Sequence, residues 1–375
     1  MKHLGSLVGA YLSTALLAAC GGSNNSLSQS PTSVAPAMVA SRSAAVGSES
    51  LPANGSPNLY IANCGAECGG KGRGAVTAYA PGSNTVLRTI SDGVVYPFAL
   101  AFDGASNLYV ANCVGIHNCN GRSTVTVYAP GSTSPLRTIS EGVAYPDALA
   151  LDGPGNLYVA NALGNNGNGS VTVYAPGSKN VLRTVSQGVY GPTALALDGA
   201  GNLYVANYND STVTVYVPGS DTVLRTISKG VRNPQELIFG HSGNLFVANY
   251  GGNPDGSVSV YAPGKTRPFR KILEGIADPY AMAFDGSGNL YVANVDSETV
   301  TVYAPGRSSV LRTISQGVNG PVALVFDASG NLYVANSGLF NQPPTNVTVY
   351  APGGTSVLRT ISQGVNLPYG LAFGP

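Results

Sequence analysis

The chain has 375 residues, a net charge of +1 and only 10% charged side chains, so it offers no electrostatic footprint for nucleic acid. With 43% apolar residues beside 49 glycines and 25 prolines, and no collagen-like period, it is neither disordered nor fibrous. Many short strands joined by tight turns are expected.

At the N-terminus, Lys2 precedes an uncharged stretch from Leu4 to Ala19. This stretch falls short of the roughly 20 residues that a helix needs to cross a bilayer. It closes with Leu-Ala-Ala-Cys at 17–20, which resembles the lipobox of bacterial lipoprotein signal peptides. The resemblance implies cleavage before Cys20 and lipid on its thiol, where the plainer alternative is an ordinary secretory signal. Gly21, in place of aspartate, would favour the outer membrane in Gram-negative sorting. The expected location is therefore the bacterial cell envelope. Residues 1–19 are read as signal. Residues 20–57, rich in Ser, Ala, Pro, Gly and Asn, are read as a flexible tether with a typical reach of roughly 35 Å. The folded part is expected over 58–375.

From Asn58 onward four short motifs recur in fixed order. NLYVAN or a near-copy starts at Asn58, Asn107, Asn156, Asn202, Asn244, Asn289 and Asn331. VTVYAPG follows, from Val76 to Val347, then LRTIS, from Leu87 to Leu358, then PxALAFD, from Pro97 to Pro368. Each motif is rich in β-branched and aromatic residues and is bounded by Gly, Pro, Asn or Asp, which marks strands. Units of about 42–49 residues with four strands predict the blades of a β-propeller. The first NLYIAN lacks a preceding PxALAFD, and the last PYGLAF lacks a following NLY. The C-terminal strand is therefore expected to complete the N-terminal blade and close a ring. Seven copies predict an all-β, seven-bladed propeller of four-stranded blades.

The YVAN strand and the P-x-A-L-A-F-D-x-x-G-N-L-Y stretch resemble the NHL and YVTN-type repeat propellers over about 58–373. That group also resembles streptogramin lyase and the gluconolactonase-like enzymes. Tryptophan is absent, unlike WD repeats, quinoprotein docking repeats and Asp-box sialidases. The resemblance implies a fold, and that fold hosts enzymes and inert scaffolds alike.

Variation is confined to one interval. The step from VTVYAPG to LRTIS is the same in every unit, as from Val76 to Leu87 and from Val347 to Leu358. The step from LRTIS to the next NLY is equally constant, as from Leu87 to Asn107 and from Leu311 to Asn331. The step from NLY to VTV is not. It is longest from Asn58 to Val76 and from Asn107 to Val125, and shortest from Asn202 to Val213 and from Asn289 to Val300. If PxALAFD is the inner strand a, this interval is the b–c loop. The b–c and d–a loops share one face, which marks that face as the binding face. Apart from Tyr11 in the signal, seven tyrosines fall outside the repeat template: Tyr96, Tyr145, Tyr190, Tyr208, Tyr250, Tyr280 and Tyr369. All lie in b–c loops, d–a loops or the first turn of strand a, with Phe98 and Phe340. Exposed amphipathic rings suit a binding surface. For Tyr280, Tyr369 and Phe98, plugging the channel mouth is an equal reading. The template tyrosines are expected to pack between blades.

Cys64 and Cys68, and Cys113 and Cys119, lie in b–c loops of adjacent blades. An exported chain favours disulfides. Neighbouring sheets stand about 10 Å apart, so the local pairs 64–68 and 113–119 are favoured. A zinc site of these thiolates, with or without His117, is the rival. The aspartates after strand a, such as Asp103 and Asp152, read as turn formers. The second Asn of NLYVAN reads as a cap for the b–c loop, and the arginines of LRTIS as structural. Glu236 stands out, because the other six blades have Ala or Gly there. It is either paired, with Arg232 or water, or a ligand or acid/base group beside Asp147 and Asp278. No nucleophile elbow, HExxH or phosphate loop is present.

The sequence therefore predicts a membrane-tethered, monomeric binding or interaction scaffold acting through the b–c and d–a loop face. No cofactor, catalytic residue or metal is expected, and the partner is an unspecified protein, glycan or small molecule. The alternative is a metal-dependent lactonase or lyase at the channel mouth, using Glu236 and Asp147.

Overall fold

The computed structural model describes residues 43–44, 57–65, 74–113, 123–162, 168–251, 256–338 and 345–375. Seven four-stranded antiparallel sheets form a closed ring, a seven-bladed β-propeller. Blade 1 is made of Pro368–Gly374, Asn58–Asn63, Ala75–Tyr79 and Val86–Ile90, as strands a to d from inside outward. The later blades follow in chain order, with inner strands Pro97–Phe102, Pro146–Leu151, Pro192–Leu197, Pro234–Phe239, Pro279–Phe284 and Pro321–Phe326 in blades 2 to 7. The seam lies in blade 1, where Asn58 pairs with Gly374 and Ile61 with Leu371. No helix occurs among the described residues.

Burial explains the motifs. Strands a and b are buried along nearly their whole length because a neighbouring blade covers each face. The outermost strand shows simple alternation: in Val86–Ile90, Leu87 and Thr89 are exposed. Gly374 is needed for the seam, since a Cβ there would lie 2.2 Å from the Phe102 ring of blade 2.

The repeated polar residues are structural. The tyrosine of VTVYAPG bridges blades, as Tyr128 Oη donates to the Asp92 carbonyl at 2.6 Å and Tyr303 Oη to that of Glu274 at 2.6 Å. Arg137 donates to Tyr109 Oη at 2.7 Å and lies over its ring. Asp103 Oδ1 accepts from the N–H groups of Ala105 and Asn107, holding the a–b turn. The second Asn of NLYVAN does more than cap. Asn161 Nδ2 donates to Thr172 Oγ1 at 3.0 Å, while its Oδ1 accepts the Ala144 N–H at 2.9 Å. It therefore clamps the d–a loop to strands b and c.

One element departs from expectation. Within the segment read as a tether, Ser43–Ala44 forms a short strand parallel to Pro368–Gly374, with Ser43 opposite Leu371 and Ala44 opposite Ala372. It is the innermost strand of the blade 1 sheet and also touches the inner strands of blades 2 and 7.

Candidate functional site

Three positions per blade build the b–c end of the ring. The first immediately precedes the proline of strand a: Leu367, Tyr96, Tyr145, Gly191, Asn233, Asp278 and Gly320. All seven have positive φ, between 39° and 58°. Glycine adopts this conformation freely, and Asn and Asp tolerate it, but Leu and Tyr do so at a cost of about 1–2 kcal/mol. The turn is over-determined by its hydrogen bonds. Each carbonyl accepts the N–H of the residue that follows strand b, as in Cys113 to Tyr96 at 3.2 Å and Tyr250 to Asn233 at 3.1 Å. Hydroxyls from the preceding blade hold some of the amides, as Ser123 Oγ accepts Tyr145 N–H at 3.0 Å.

The second position follows strand b: Cys64, Cys113, Ala162, Tyr208, Tyr250, Val295 and Ser337. The third is the second residue of strand a, where the ladder skips one residue. Going round the ring it is Tyr369, Phe98, Asp147, Thr193, Gln235, Tyr280 and Val322. These third-position side chains meet across blades. Phe98 and Tyr369 pack edge to face at 5.6 Å, and Thr193 Oγ1 donates to the Pro234 carbonyl at 2.7 Å.

The third position divides the mouth into two arcs. Tyr280, Val322, Tyr369 and Phe98 are consecutive and share one apolar cluster with Tyr96, Tyr145, Leu367, Cys64 and Cys113. Asp147, Thr193 and Gln235 are also consecutive and form a polar arc, all buried. Glu236, fully buried in blade 5, adds a carboxylate beside it and accepts the Met282 N–H of blade 6. Gln235 Oε1 is buried and has no hydrogen-bond partner among the described residues. Across the three positions of all seven blades there are two aspartates and no Lys, Arg or His. Arg232, expected as a partner for Glu236, has an exposed side chain at the rim, and its backbone N–H donates to Asn249.

The off-template aromatics differ in exposure from the surface expected of them. Among the described ones, only Tyr190 is well exposed, at 41%. Tyr96 and Tyr145 are buried, at 8% and 5%, as are Phe98, Tyr280 and Tyr369. The left-handed turn and the skipped residue direct these rings inward, where neighbouring blades converge. Tyr208 and Tyr250 are half-buried. Burial raises the phenol pKa of both above its ordinary value, and the nearby Asp278 raises it further. Asp278 Oδ1 accepts the Gly251 N–H at 2.8 Å.

Cys64 and Cys113 are buried and disulfide-bonded. Cys68, Cys119 and His117 lie outside the described residues, as do Cys20 and Phe340. Among the described residues, no three His, Cys, Asp or Glu side chains converge as a metal site would require. His241 lies in an a–b turn at the other end and packs against Phe284 at 6.0 Å.

No protein-family model matches the chain, and no curated protein matches it. Solved structures do. A candidate 6-phosphogluconolactonase from Bacteroides fragilis is 15% identical with a TM-score of 0.67, over 87% of this chain and 100% of that one. A functionally unknown protein from Desulfotomaculum acetoxidans is 14% identical with a TM-score of 0.64, over 85% and 99%. The WD40 propeller domain of Doa1 is 12% identical with a TM-score of 0.58, over 80% and 90%. At these identities the likeness shows the propeller fold alone.

Part of the mouth could have been found from sequence. Thr193, Gln235 and Val322 hold the same motif position as Phe98 and Tyr280, and comparing the seven copies position by position exposes it. The same comparison puts Tyr208 and Tyr250 in the place of Cys64 and Cys113.

Proposed function

We propose that the protein is a binding module whose mouth, at the b–c and d–a loop end, takes an amphipathic ligand with a cationic or hydrogen-bond-donating end. One observation carries this reading: the third position of strand a splits into an apolar arc and an acceptor-rich polar arc, with no Lys, Arg or His at that position in any blade. An apolar moiety would lie against Phe98, Tyr280 and Tyr369. Its donor groups would face Asp147, Gln235 and Glu236. A phosphorylated sugar lactone would bring anionic oxygens to carboxylates and is disfavoured. The lactonase reading therefore draws support from fold likeness only.

Titration with phenethylamine as probe, against glucose 6-phosphate, tests the reading. Saturable amine binding that Asp147→Asn weakens about tenfold, or about 1.4 kcal/mol, is the expected result. Tight binding of glucose 6-phosphate at the mouth, or lactone hydrolysis lost in Glu236→Gln, would overturn it.

The proposal also sets the module in the bacterial envelope, lipid-anchored through Cys20, with Cys64–Cys68 and Cys113–Cys119 disulfides. Labelled fatty acid should enter the wild type and not Cys20→Ala. Peptide mapping of oxidised protein should recover the two intraloop links.

A further inference from the structure

We propose that the outer rim of blade 5 docks on an anionic lipid bilayer. The proposal depends neither on the ligand of the mouth nor on lipid at Cys20, because it rests on the outermost strand and the turn that leads into it.

The LRTIS strand repeats almost unchanged around the ring, except in blade 5, where residues 269–273 read FRKIL. Lys271 stands where the other six blades have Thr, Leu273 where they have Ser, and Phe269 where they have Leu. Arg267, in the c–d turn just before, stands where they have Thr, Ser or Asn. The residues that pack are kept. Ile272 is buried, and Arg270 lies over the Phe246 ring as Arg312 lies over that of Tyr291. The four changed positions are all exposed, so blade packing does not account for the divergence.

The changed residues meet on one surface. Phe269, Lys271 and Leu273 alternate along the chain and therefore share a face. Phe269 is 59% exposed and Leu273 46%. The Arg270 guanidinium lies 5.9 Å from the centroid of the Phe269 ring. Lys265 adds an exposed cation at the start of the same c–d turn. Lys229 comes from blade 4, where its carbonyl accepts Tyr261 Oη of blade 5 at 2.7 Å. The next residue, Gly230, packs so closely that a Cβ there would lie 2.8 Å from the Pro268 ring. The other blades carry Asp, Glu or Gln in place of Lys229. Glu274 is the only carboxylate within 262–275, and its Oε1 accepts the Val310 N–H of blade 6 at 3.4 Å. Four exposed cations thus accompany two exposed apolar side chains.

This combination selects the occupant. Lys and Arg are drawn to the surface of an anionic bilayer, while neighbouring Phe and Leu side chains enter the boundary between headgroups and acyl chains. A hydrophilic polyanion would engage the cations and gain nothing from Phe269 and Leu273. The rim of a ring is also convex, so a flat surface meets about one blade at a time. Divergence confined to one blade suits that geometry.

Amide exchange of the full chain carrying Cys20→Ala, which has no thiol for lipid at that position, tests the docking. Vesicles of phosphatidylcholine with about 30% phosphatidylglycerol should slow exchange in 265–274 about fivefold or more, and leave the equivalent 132–141 of blade 2 unchanged. Salt at about 0.5 M should remove the effect. So should the combined variant Arg267→Ser, Lys271→Thr and Leu273→Ser, which restores residues that other blades already fold with. Because the readout is local to blade 5, attachment of the N-terminal segment to the vesicles does not produce it. Equal slowing on pure phosphatidylcholine, no slowing on either vesicle, or slowing retained in the variant would overturn the proposal. Slowing by polyglutamate but not by vesicles would overturn it in favour of an acidic protein partner. Amine binding at the mouth is read separately, so failure of one reading is distinguishable from failure of the other.

Discussion

Glu236 in blade 5 accepts a hydrogen bond from the backbone N–H of Met282 in blade 6, with its side chain fully buried. The position is alanine or glycine elsewhere, so a carboxylate stands where six blades have almost nothing. Blade 5 must therefore supply a setting that the others lack. Glu236→Ala restores the repeat template and should change stability by less than about 1.5 kcal/mol, because the lost acceptor and the removed desolvation cost oppose each other. Ala281→Glu, the same change in blade 6, should cost about 3 kcal/mol or more. Urea denaturation of the two variants compares them directly. Equal tolerance would mean that blade 5 is not special.

The left-handed turn before strand a separates backbone from side-chain effects. Asn233→Gly should cost no more than about 1 kcal/mol, since glycine takes that φ freely while the hydrogen bond from Asn233 Nδ2 to the Tyr208 carbonyl is lost. Tyr145→Gly relaxes the same backbone but removes a buried ring, and should cost about 2–4 kcal/mol. Chemical denaturation of both variants checks the pair. If Tyr145→Gly cost no more than Asn233→Gly, the ring would contribute nothing to the apolar cluster.

Alkaline stability should reflect the inter-blade tyrosines. Burial pushes the phenols of Tyr128, Tyr261 and Tyr303 up to about 12. A group whose folded pKa is raised contributes stability that is complete below its unfolded pKa of about 10 and is lost as pH rises toward the folded value. Melting temperature should thus hold constant up to about pH 9.5 and fall between about pH 10 and 12. Tyr303→Phe should make that fall shallower, as read by calorimetry across the range. An unchanged slope would remove Tyr303 from the account.

The seam is testable by shortening. A chain ending at Asn366 loses the inner strand of blade 1 and exposes the edge of Asn58–Asn63. It should aggregate or lose its single cooperative transition. Melting like the full chain would show that the ring does not need the closing strand.

Much of this was legible in the sequence because repetition makes scaffold positions announce themselves. NLYVAN and VTVYAPG recur wherever two blades must pack, and the shared blade 1 could be read from the offset of the first and last motifs. Tyr128 and Asp103 occupy the structural roles their repetition implied. The mouth was harder to read. Tyr96 is followed by proline, and nothing in its immediate neighbours signals a positive φ or an inward-pointing ring. That had to come from the hydrogen bond between Cys113 N–H and the Tyr96 carbonyl. Ser43–Ala44 was illegible for another reason. So short a strand in a Ser- and Ala-rich segment has no period, and its partner lies at the opposite end of the chain.

The blade 1 seam also sets a clock. Leu59 pairs with Phe373, so one antiparallel ladder joins the first and last strands of the ring. Closing a loop that takes in nearly the whole folded chain carries an entropic cost of about 5 kcal/mol. During synthesis, strands b to d of blade 1 emerge first and must wait for all six other blades before their inner strand exists. Until then the molecule is an open arc with an uncovered sheet at each end. Two such arcs at high concentration could close on each other, each lending its last strand to the other's first sheet. The same joint that locks the finished ring therefore makes the unfinished one prone to exchange, and folding yield should fall with protein concentration more steeply than for a propeller whose blades are each contiguous in sequence.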